Sequence, residues 1–131
     1  MTYGLAQALR DYQAAWNELD TGARARLLAA CVTDGVVMAP GYEPEAPLIR
    51  GRDALAAEIG KMIARRPPGR GFRLTLTSKV EEHHGWARFR WHVADPNGAV
   101  LTVGGMELAG LDVVRLAEHG RLEQIIVFVG A

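Results

Sequence analysis

The chain has 131 residues, a formal net charge of zero at pH 7 and an apolar fraction of 49%. This length suits a single domain with one sizeable hydrophobic core. The balanced charge offers no basic excess for nucleic acid or for an anionic membrane, and we expect neither as a partner. The sequence has no apolar run of about 18 residues and no signal-peptide pattern, so a cytoplasmic protein is expected.

Apolar residues in the first half of the chain recur at steps of three and four, which is the period of a helix. Asp20 or Thr21 can cap the second of the predicted helices. Several prolines in the segment PGYEPEAPLIR favour a loop. The elements predicted for this half are helices at residues 3–19, 22–32 and 52–64, a short strand at 36–38 and a loop at 40–50.

From residue 71 the apolar period shortens to two, which indicates strands. The segment 95–98, DPNG, favours a hairpin turn. One long strand is expected from Val100 to Leu116, with a bulge or bend at Gly104 and Gly105, because paired glycines are unusual inside a strand. The predicted fold class is α+β, with three N-terminal helices packed on a curved antiparallel sheet that encloses an apolar pocket.

Five segments carry a resemblance that covers almost the whole chain: YQAAWNELD, TDGVVMAPG, IRGRDALAAEI, ARFRWHV and LDVVRLAEHGRLEQIIVFVG. They resemble the SnoaL-like branch of the nuclear-transport-factor-2-like (NTF2-like) superfamily. The resemblance implies one domain over residues 1–131, the cone-shaped fold of ketosteroid isomerase, and a homodimer. It specifies the fold more narrowly than the reaction, because this fold hosts isomerases, dehydratases, epoxide hydrolases, polyketide cyclases and binding proteins.

The resemblance also implies a pair of catalytic residues. Ketosteroid isomerase stabilises an enolate with a tyrosine and a protonated aspartate in an apolar site. Tyr12, eight residues before Asp20, matches the tyrosine, and Asp112, eight residues before Gly120, matches the protonated aspartate. The position of the aspartate that abstracts the proton in that enzyme is Ala39 here, so the resemblance supplies no general base.

The role of Asp112 depends on the face of the strand that it occupies. Facing inward, the carboxyl lies among apolar groups, and burial raises its pKa because the charged form is disfavoured. A neutral acid can donate a hydrogen bond to an enolate or phenolate oxygen, and Tyr12 can donate a second. The alternatives are a structural Asp112 that pairs with backbone groups or an outer-face arginine, and a Tyr12 that is simply packed in the core.

The other candidate site residues are side chains expected to face the interior of the cone. Glu58 could replace the missing base, or could be a solvated helix residue. Tyr42 lies in the proline-rich loop, which could cover the mouth of the pocket. The predicted substrate-binding residues are Trp16, Met38, Tyr42, Glu58, Ile59, Phe72, Leu74, Phe89, Trp91, Val114, Ile125 and Val127.

Three further features bear on ligands and partners: an arginine-rich segment, a pair of histidines and one face of a strand. The arginines of ARRPPGRGFR could bind an anionic tail of a ligand at the mouth of the cone, or could form a solvated loop. His83 and His84 are adjacent in a predicted hairpin and point to opposite faces, so no metal site is expected. A dimer surface, or else a solvated sheet face, is predicted on the outer side of one strand at Trp86, Arg88, Arg90 and His92.

Three functions fit these observations. The first is an isomerase, cyclase or dehydratase that stabilises an enolate of an apolar carbonyl or phenolic substrate and needs no cofactor. The second is a binding or carrier protein for an apolar small molecule, which the alanine at the base position would suit. The third is a dimeric interaction module, which would have a filled cone and no ligand.

Overall fold

The computed structural model describes residues 3–41 and 43–130. In this part of the chain, two helices are followed by two strands, a third helix and then seven further strands. The helices are α1 (Leu5–Ala15), α2 (Thr21–Cys31) and α3 (Arg52–Ala64), with a short 3-10 helix at Glu118–Gly120. The strands are β1 (Val32–Ala39), β2 (Ile49–Arg50), β3 (Arg73–Leu76), β4 (Glu81–His83), β5 (Trp86–Ala94), β6 (Thr102–Val103), β7 (Met106–Glu107), β8 (Ala109–Leu116) and β9 (Leu122–Val129).

The main sheet has the strand order β2-β1-β9-β8-β5-β3, and β4 also pairs with β5. The pairs β5–β8 and β8–β9 are antiparallel, whereas β1 lies parallel to β9. The sheet is therefore mixed, and the expectation of a purely antiparallel sheet was wrong in this detail. The α+β arrangement of three helices against a curved sheet is confirmed.

Helix α1 ends earlier than the apolar pattern predicted, at Ala15 instead of residue 19. Leu19, which continues the apolar stripe in sequence, is 77% exposed. Asn17 leaves the helix and binds the backbone of β3, where its Nδ2 donates to the Leu74 carbonyl oxygen at 2.8 Å. The chain then turns, and Asp20 caps α2, as predicted.

The segment expected to be one long strand from Val100 to Leu116 is instead a small hairpin followed by a strand. Strands β6 and β7 pair with each other and are joined by Gly104 and Gly105, both with positive φ. Glycine adopts this conformation without a steric penalty, so the pair forms a turn and not a bulge. Only the second part, β8, belongs to the main sheet.

The hydrophobic core lies between the helices and the inner face of the sheet. Arg24 is buried on α2, and its Nη2 donates to the Glu18 carbonyl oxygen at 2.7 Å, which fixes the turn between α1 and α2. Within the described ranges, no helix is long and apolar enough to cross a membrane. The largest fully buried side chains are Phe89, Leu28, Leu55, Ile59, Leu122, Ile125, Val32, Val36, Val114 and Cys31.

Candidate functional site

A cavity of about 170 Å³ opens between α1, α3, the β6–β7 hairpin and the inner face of the sheet. Its wall consists mainly of aliphatic, methionine and aromatic side chains. Few ionisable groups reach it, and they lie on different elements. They are Tyr12 on α1, Glu58 on α3, Arg65 and Arg66 after α3, and Asp112 on β8.

Asp112 faces the interior of the cone. Burial along β8 alternates, with Gly110, Asp112 and Val114 buried and their neighbours less so. The Asp112 side chain is 5% exposed, and its Oδ1 accepts a hydrogen bond of 2.8 Å from the indole Nε1 of Trp91. The carboxyl is therefore part of the cavity wall and does not pair with an arginine on the outer face.

The register of β5 and β8 makes this hydrogen bond possible. Trp91 stands opposite Gly110, whereas Asp112 stands opposite Phe89. A Cβ on Gly110 would overlap the Phe128 carbonyl oxygen and would come within 3.0 Å of the Trp91 ring. Because glycine leaves this space empty, the indole can lie across β8 and reach the carboxyl diagonally, two residues along the strand.

Burial raises the pKa of Asp112 from its ordinary value of 3.8 to about 7, and the Trp91 hydrogen bond works in the opposite direction. Both protonation states are therefore populated near neutral pH, which suits a group that exchanges protons. An indole N–H can only donate, so Oδ1 acts as its acceptor and the proton of the neutral acid is favoured on Oδ2.

Tyr12 supplies a hydroxyl with no partner. The side chain is 2% exposed, and its oxygen has no hydrogen bond to any residue in the described ranges. Burial raises the pKa of Tyr12 well above 10, and the charge of Asp112 adds to this; the Trp16 indole acts in the opposite sense but makes no hydrogen bond of good geometry. Tyr12 thus stays protonated at neutral pH and can donate to a ligand oxygen.

The structure brings together most of the predicted site residues. Ile59, Val114 and Ile125 do not reach the cavity, because they are 0% exposed and lie in the core. Phe72 does not line the cavity either; it is half-buried against the core, with the Arg70 guanidinium 5.6 Å from the centre of its ring. Tyr42 lies outside the described residues. The predicted residues that line the cavity are Tyr12, Trp16, Met38, Glu58, Leu74, Phe89, Trp91, Asp112 and Val127.

One wall of the cavity was not predicted from the sequence. The β6–β7 hairpin contributes Leu101, Val103, Met106 and Leu108 to the lining. These residues had been assigned to a continuous strand of the sheet, so their role in the wall was missed. The signal was present, because Gly-Gly between two short alternating apolar segments is typical of a two-residue hairpin.

Other candidate groups contribute no reactive side chain to the cavity. Ala39 ends β1 and has no acid or base function. Cys31 is buried, which raises the pKa of its thiol to about 12 and leaves it unreactive. In residues 3–41 and 43–130, no group of three or more His, Cys, Asp or Glu side chains could hold a metal ion.

The outer face of the sheet carries the other predicted surface. Trp86 is 37% exposed there, with the Arg115 guanidinium 5.0 Å from the centre of its ring. Arg88 forms a salt bridge of 3.1 Å with Glu81. Nothing in a single chain tests whether a second copy covers this face, so the homodimer stays a prediction.

Comparison with known proteins gives the same fold. A proposed isomerase of the SnoaL-like family from Agrobacterium tumefaciens is 24% identical, with 97% of each chain covered and a TM-score of 0.77. A protein of unknown function with a cystatin-like fold from Xanthomonas campestris is 18% identical over 98% of this chain and 92% of that one, with a TM-score of 0.66. An NTF2-like protein of unknown function from Exiguobacterium is 16% identical over 93% and 97%, with a TM-score of 0.65.

Comparison of the sequence with protein families identifies the family of the chain. A search of curated proteins found no match. The family of SnoaL-like domains, in contrast, matches residues 9–125, which is most of the chain. The protein therefore belongs to the family of SnoaL-like domains.

Proposed function

We propose that the protein is a cofactor-independent enzyme that moves a proton next to a carbonyl or phenolic oxygen, as an isomerase, cyclase or dehydratase does. The observation that carries this proposal is Asp112, a carboxyl buried in the wall of a mainly apolar cavity, where burial raises its pKa to about 7. A buried ionisable group with a strongly perturbed pKa in a concave site is a candidate for proton-transfer chemistry.

In the proposed step, ionised Asp112 takes a proton from the carbon next to a substrate carbonyl. The electron pair of the broken C–H bond moves into a new carbon–carbon double bond, and negative charge develops on the substrate oxygen. The Tyr12 hydroxyl donates a hydrogen bond to that oxygen, which stabilises the enolate. Neutral Asp112 then returns the proton, to the same carbon or to another one, so that atoms and charge balance.

Asp112 thus acts as the base in this proposal, and not as the neutral hydrogen-bond donor that the resemblance implied. The position expected for the base from the resemblance is Ala39, and a carboxyl that is half-ionised near pH 7 can both accept and donate the proton. The Trp91 N–H holds Oδ1 and leaves Oδ2 to exchange the proton. Trp91 thereby acts as a positioning residue in the proposed reaction.

A carrier for an apolar small molecule is the second candidate. It is favoured by the mainly apolar wall and by the lack of an acid or base at Ala39. A carrier needs the cavity but does not need Asp112 to change its protonation state. The two proposals therefore differ in whether a bound ketone exchanges protons with solvent.

The test combines binding and exchange in the wild type, Asp112→Asn and Tyr12→Phe, with Asp53→Asn as a control for an exposed carboxylate on α3. Binding of a simple phenol is followed by ultraviolet absorbance, which separates phenol from phenolate. Exchange of α-hydrogens of a small cyclic ketone for deuterium is followed by NMR in deuterated water. An enzyme should bind the phenol and catalyse exchange.

We expect phenol affinity to fall about tenfold in Tyr12→Phe, since one hydrogen bond to a charged oxygen is lost. Exchange should disappear in Asp112→Asn, and in the wild type its rate should rise with pH and level off above about 7, as the carboxyl ionises. The control should match the wild type. If the wild type bound the phenol tightly but neither it nor any variant catalysed exchange of the ketone, the enzyme proposal would be rejected and the carrier proposal supported.

A further inference from the structure

The cavity has a cationic end that the proposed proton transfer does not use. Arg65 and Arg66 follow Ala64, the last residue of α3, and both line the cavity. They lie on the helical layer, whereas Asp112 lies on β8 in the opposite wall. A ligand that reaches Asp112 can therefore meet a second, positively charged group elsewhere in the same cavity.

Arg66 is only weakly engaged by the protein. Its Nη1 donates to the amide Oδ1 of Asn17 at 3.3 Å, and that oxygen also accepts the Leu74 N–H at 2.7 Å. Across the described ranges, no carboxylate forms a salt bridge with Arg66. A guanidinium has five N–H donors, so most of them remain for a ligand.

The surroundings of Arg66 disfavour an uncompensated positive charge. Burial, and to a lesser extent the nearby Arg73 cation, together lower its pKa to about 10. Arg70 in the same segment differs, because it lies 3.8 Å from the Asp95 carboxylate and over the Phe72 ring. An anion bound at Arg66 would offset both unfavourable contributions.

The remaining carboxylate of this wall comes from an earlier part of α3 than the cationic end. Glu58 is six residues before Ala64, which is roughly 9 Å along a helix that rises about 1.5 Å per residue. Glu58 and Met62, four residues apart on α3, and Arg65 and Arg66 just after it all line the cavity. This part of the wall thus combines a carboxylate, an apolar side chain and two guanidinium groups.

We propose that Arg66, assisted by Arg65, binds a carboxylate of the substrate, and that the substrates are compact apolar acids. The carbonyl or phenolic oxygen of such an acid accepts from Tyr12, and the adjacent carbon faces Asp112. Its apolar body lies against side chains such as Met62, and its carboxylate stays at the end of α3. A guanidinium suits this task because it can donate two parallel hydrogen bonds to one carboxylate. The inference rests on the proposed function for the position of the reacting oxygen.

The first experiment needs only the wild type and a set of ligands of one shape. Binding is measured by calorimetry for 4-hydroxybenzoate, 4-hydroxyphenylacetate and 3-(4-hydroxyphenyl)propionate, and for the carboxamide of each. Tyramine, which carries an amine in place of the acid, is the ligand of opposite charge. We expect one of the acids to bind at least about tenfold more tightly than its carboxamide, and tyramine to bind weakly.

The second experiment assigns that preference to a residue. Arg66→Gln should reduce the affinity for the preferred acid about tenfold and should leave the affinity for its carboxamide within about twofold. Arg66→Lys keeps the charge but loses the two-fold donor geometry, and should give an intermediate affinity. Arg26→Gln removes an exposed arginine of α2 that does not line the cavity, and should bind like the wild type.

Two results would overturn the inference. One is equal affinity of every acid and its carboxamide in the wild type, a measurement that does not depend on any variant folding. The other is tighter binding of tyramine that is lost in Glu58→Gln, which would assign the charged end of the ligand to Glu58. Neither result affects the proposed proton transfer, which is tested by the dependence of neutral phenol binding and ketone exchange on Tyr12 and Asp112.

Discussion

The interior of the cone consists of two unlike halves built from the same strands and helices. On β8, Val114 lies in a solid core, whereas Asp112, one inward position earlier, lies in the cavity wall. On β9 the same change occurs between Ile125 and Val127. On α3 the core residue Ile59 is the direct neighbour in sequence of the cavity residue Glu58.

The difference shows what each half contributes. In the core half, fully buried aliphatic and aromatic side chains pack against one another, and these contacts stabilise the fold. In the cavity half, a carboxyl and a phenol are buried with incomplete pairing, which costs stability. The buried polar groups of the cavity therefore lie on helices and strands whose other residues pack in the core half.

The largest expected effect comes from removing the buried charge in the cavity half. The unfolded chain releases the Asp112 proton near pH 4 and the folded protein near pH 7, so the folded state binds more protons between these values. Its stability should fall as pH rises through this window, and the difference corresponds to roughly 4 kcal/mol above pH 7. Asp112→Asn should be more stable than the wild type by up to this amount at pH 8, in urea unfolding.

The same series should show little advantage for the variant at pH 4, where Asp112 is neutral in the folded protein and only about half ionised in the unfolded chain. Glu82→Gln, which removes an exposed carboxylate on β4, is the matched control and should keep the wild-type pH dependence. If Asp112→Asn kept that dependence as well, the Asp112 carboxyl would be solvated in the folded protein, and the two halves would not differ in the way described.

A matched pair of valines compares the two halves directly. Val114→Ala creates a hole in the core and should cost roughly 2–3 kcal/mol of unfolding free energy. Val127→Ala removes the same atoms from a partly exposed cavity wall and should cost about 1 kcal/mol or less. Equal losses, measured by urea unfolding, would mean that the cavity is packed like the core.

The smallest effect concerns the unpaired phenol of the site. Tyr12→Phe removes a buried hydroxyl with no partner and should stabilise the protein by about 1 kcal/mol while it weakens phenol binding. Tyr3→Phe is the opposite control, because the Tyr3 hydroxyl donates to Asp11 Oδ2 at 2.9 Å and its loss should cost about 1 kcal/mol. A Tyr12→Phe variant less stable than the wild type would show that the hydroxyl is paired in solution.

The sequence predicted the direction of side chains better than their position along the cone. A period of two places Asp112, Val114, Ile125 and Val127 on the inner face, and the structure agrees. The period does not say where the helices stop covering that face, so Val114 and Ile125 were assigned to the pocket. Trp91 was also expected in the pocket. Its hydrogen bond to Asp112 could not be predicted, because it depends on the pairing register of β5 and β8, which sets Trp91 opposite Gly110.

Loop and pairing details were the least predictable parts of the fold. The parallel pair β1–β9 joins the first strand to the last one, and no local pattern encodes such a distant partner. The hairpin at Gly104 and Gly105 was read as a bend because apolar alternation continues on both sides of it. The early end of α1 results from the Asn17 amide binding β3, a contact that helix propensity does not include.

The side-chain amides of Gln13 on α1 and of Asn17 just after it have a consequence for the outer edge of the sheet. Asn17 pairs with both backbone groups of Leu74, and the Gln13 Oε1 accepts the Leu76 N–H at 3.1 Å. A bare strand edge is a template on which a second chain can add a strand and begin to aggregate. Here the Gln13 and Asn17 side chains supply the hydrogen bonds that such an added strand would make, so this edge of β3 is closed to intermolecular strand addition.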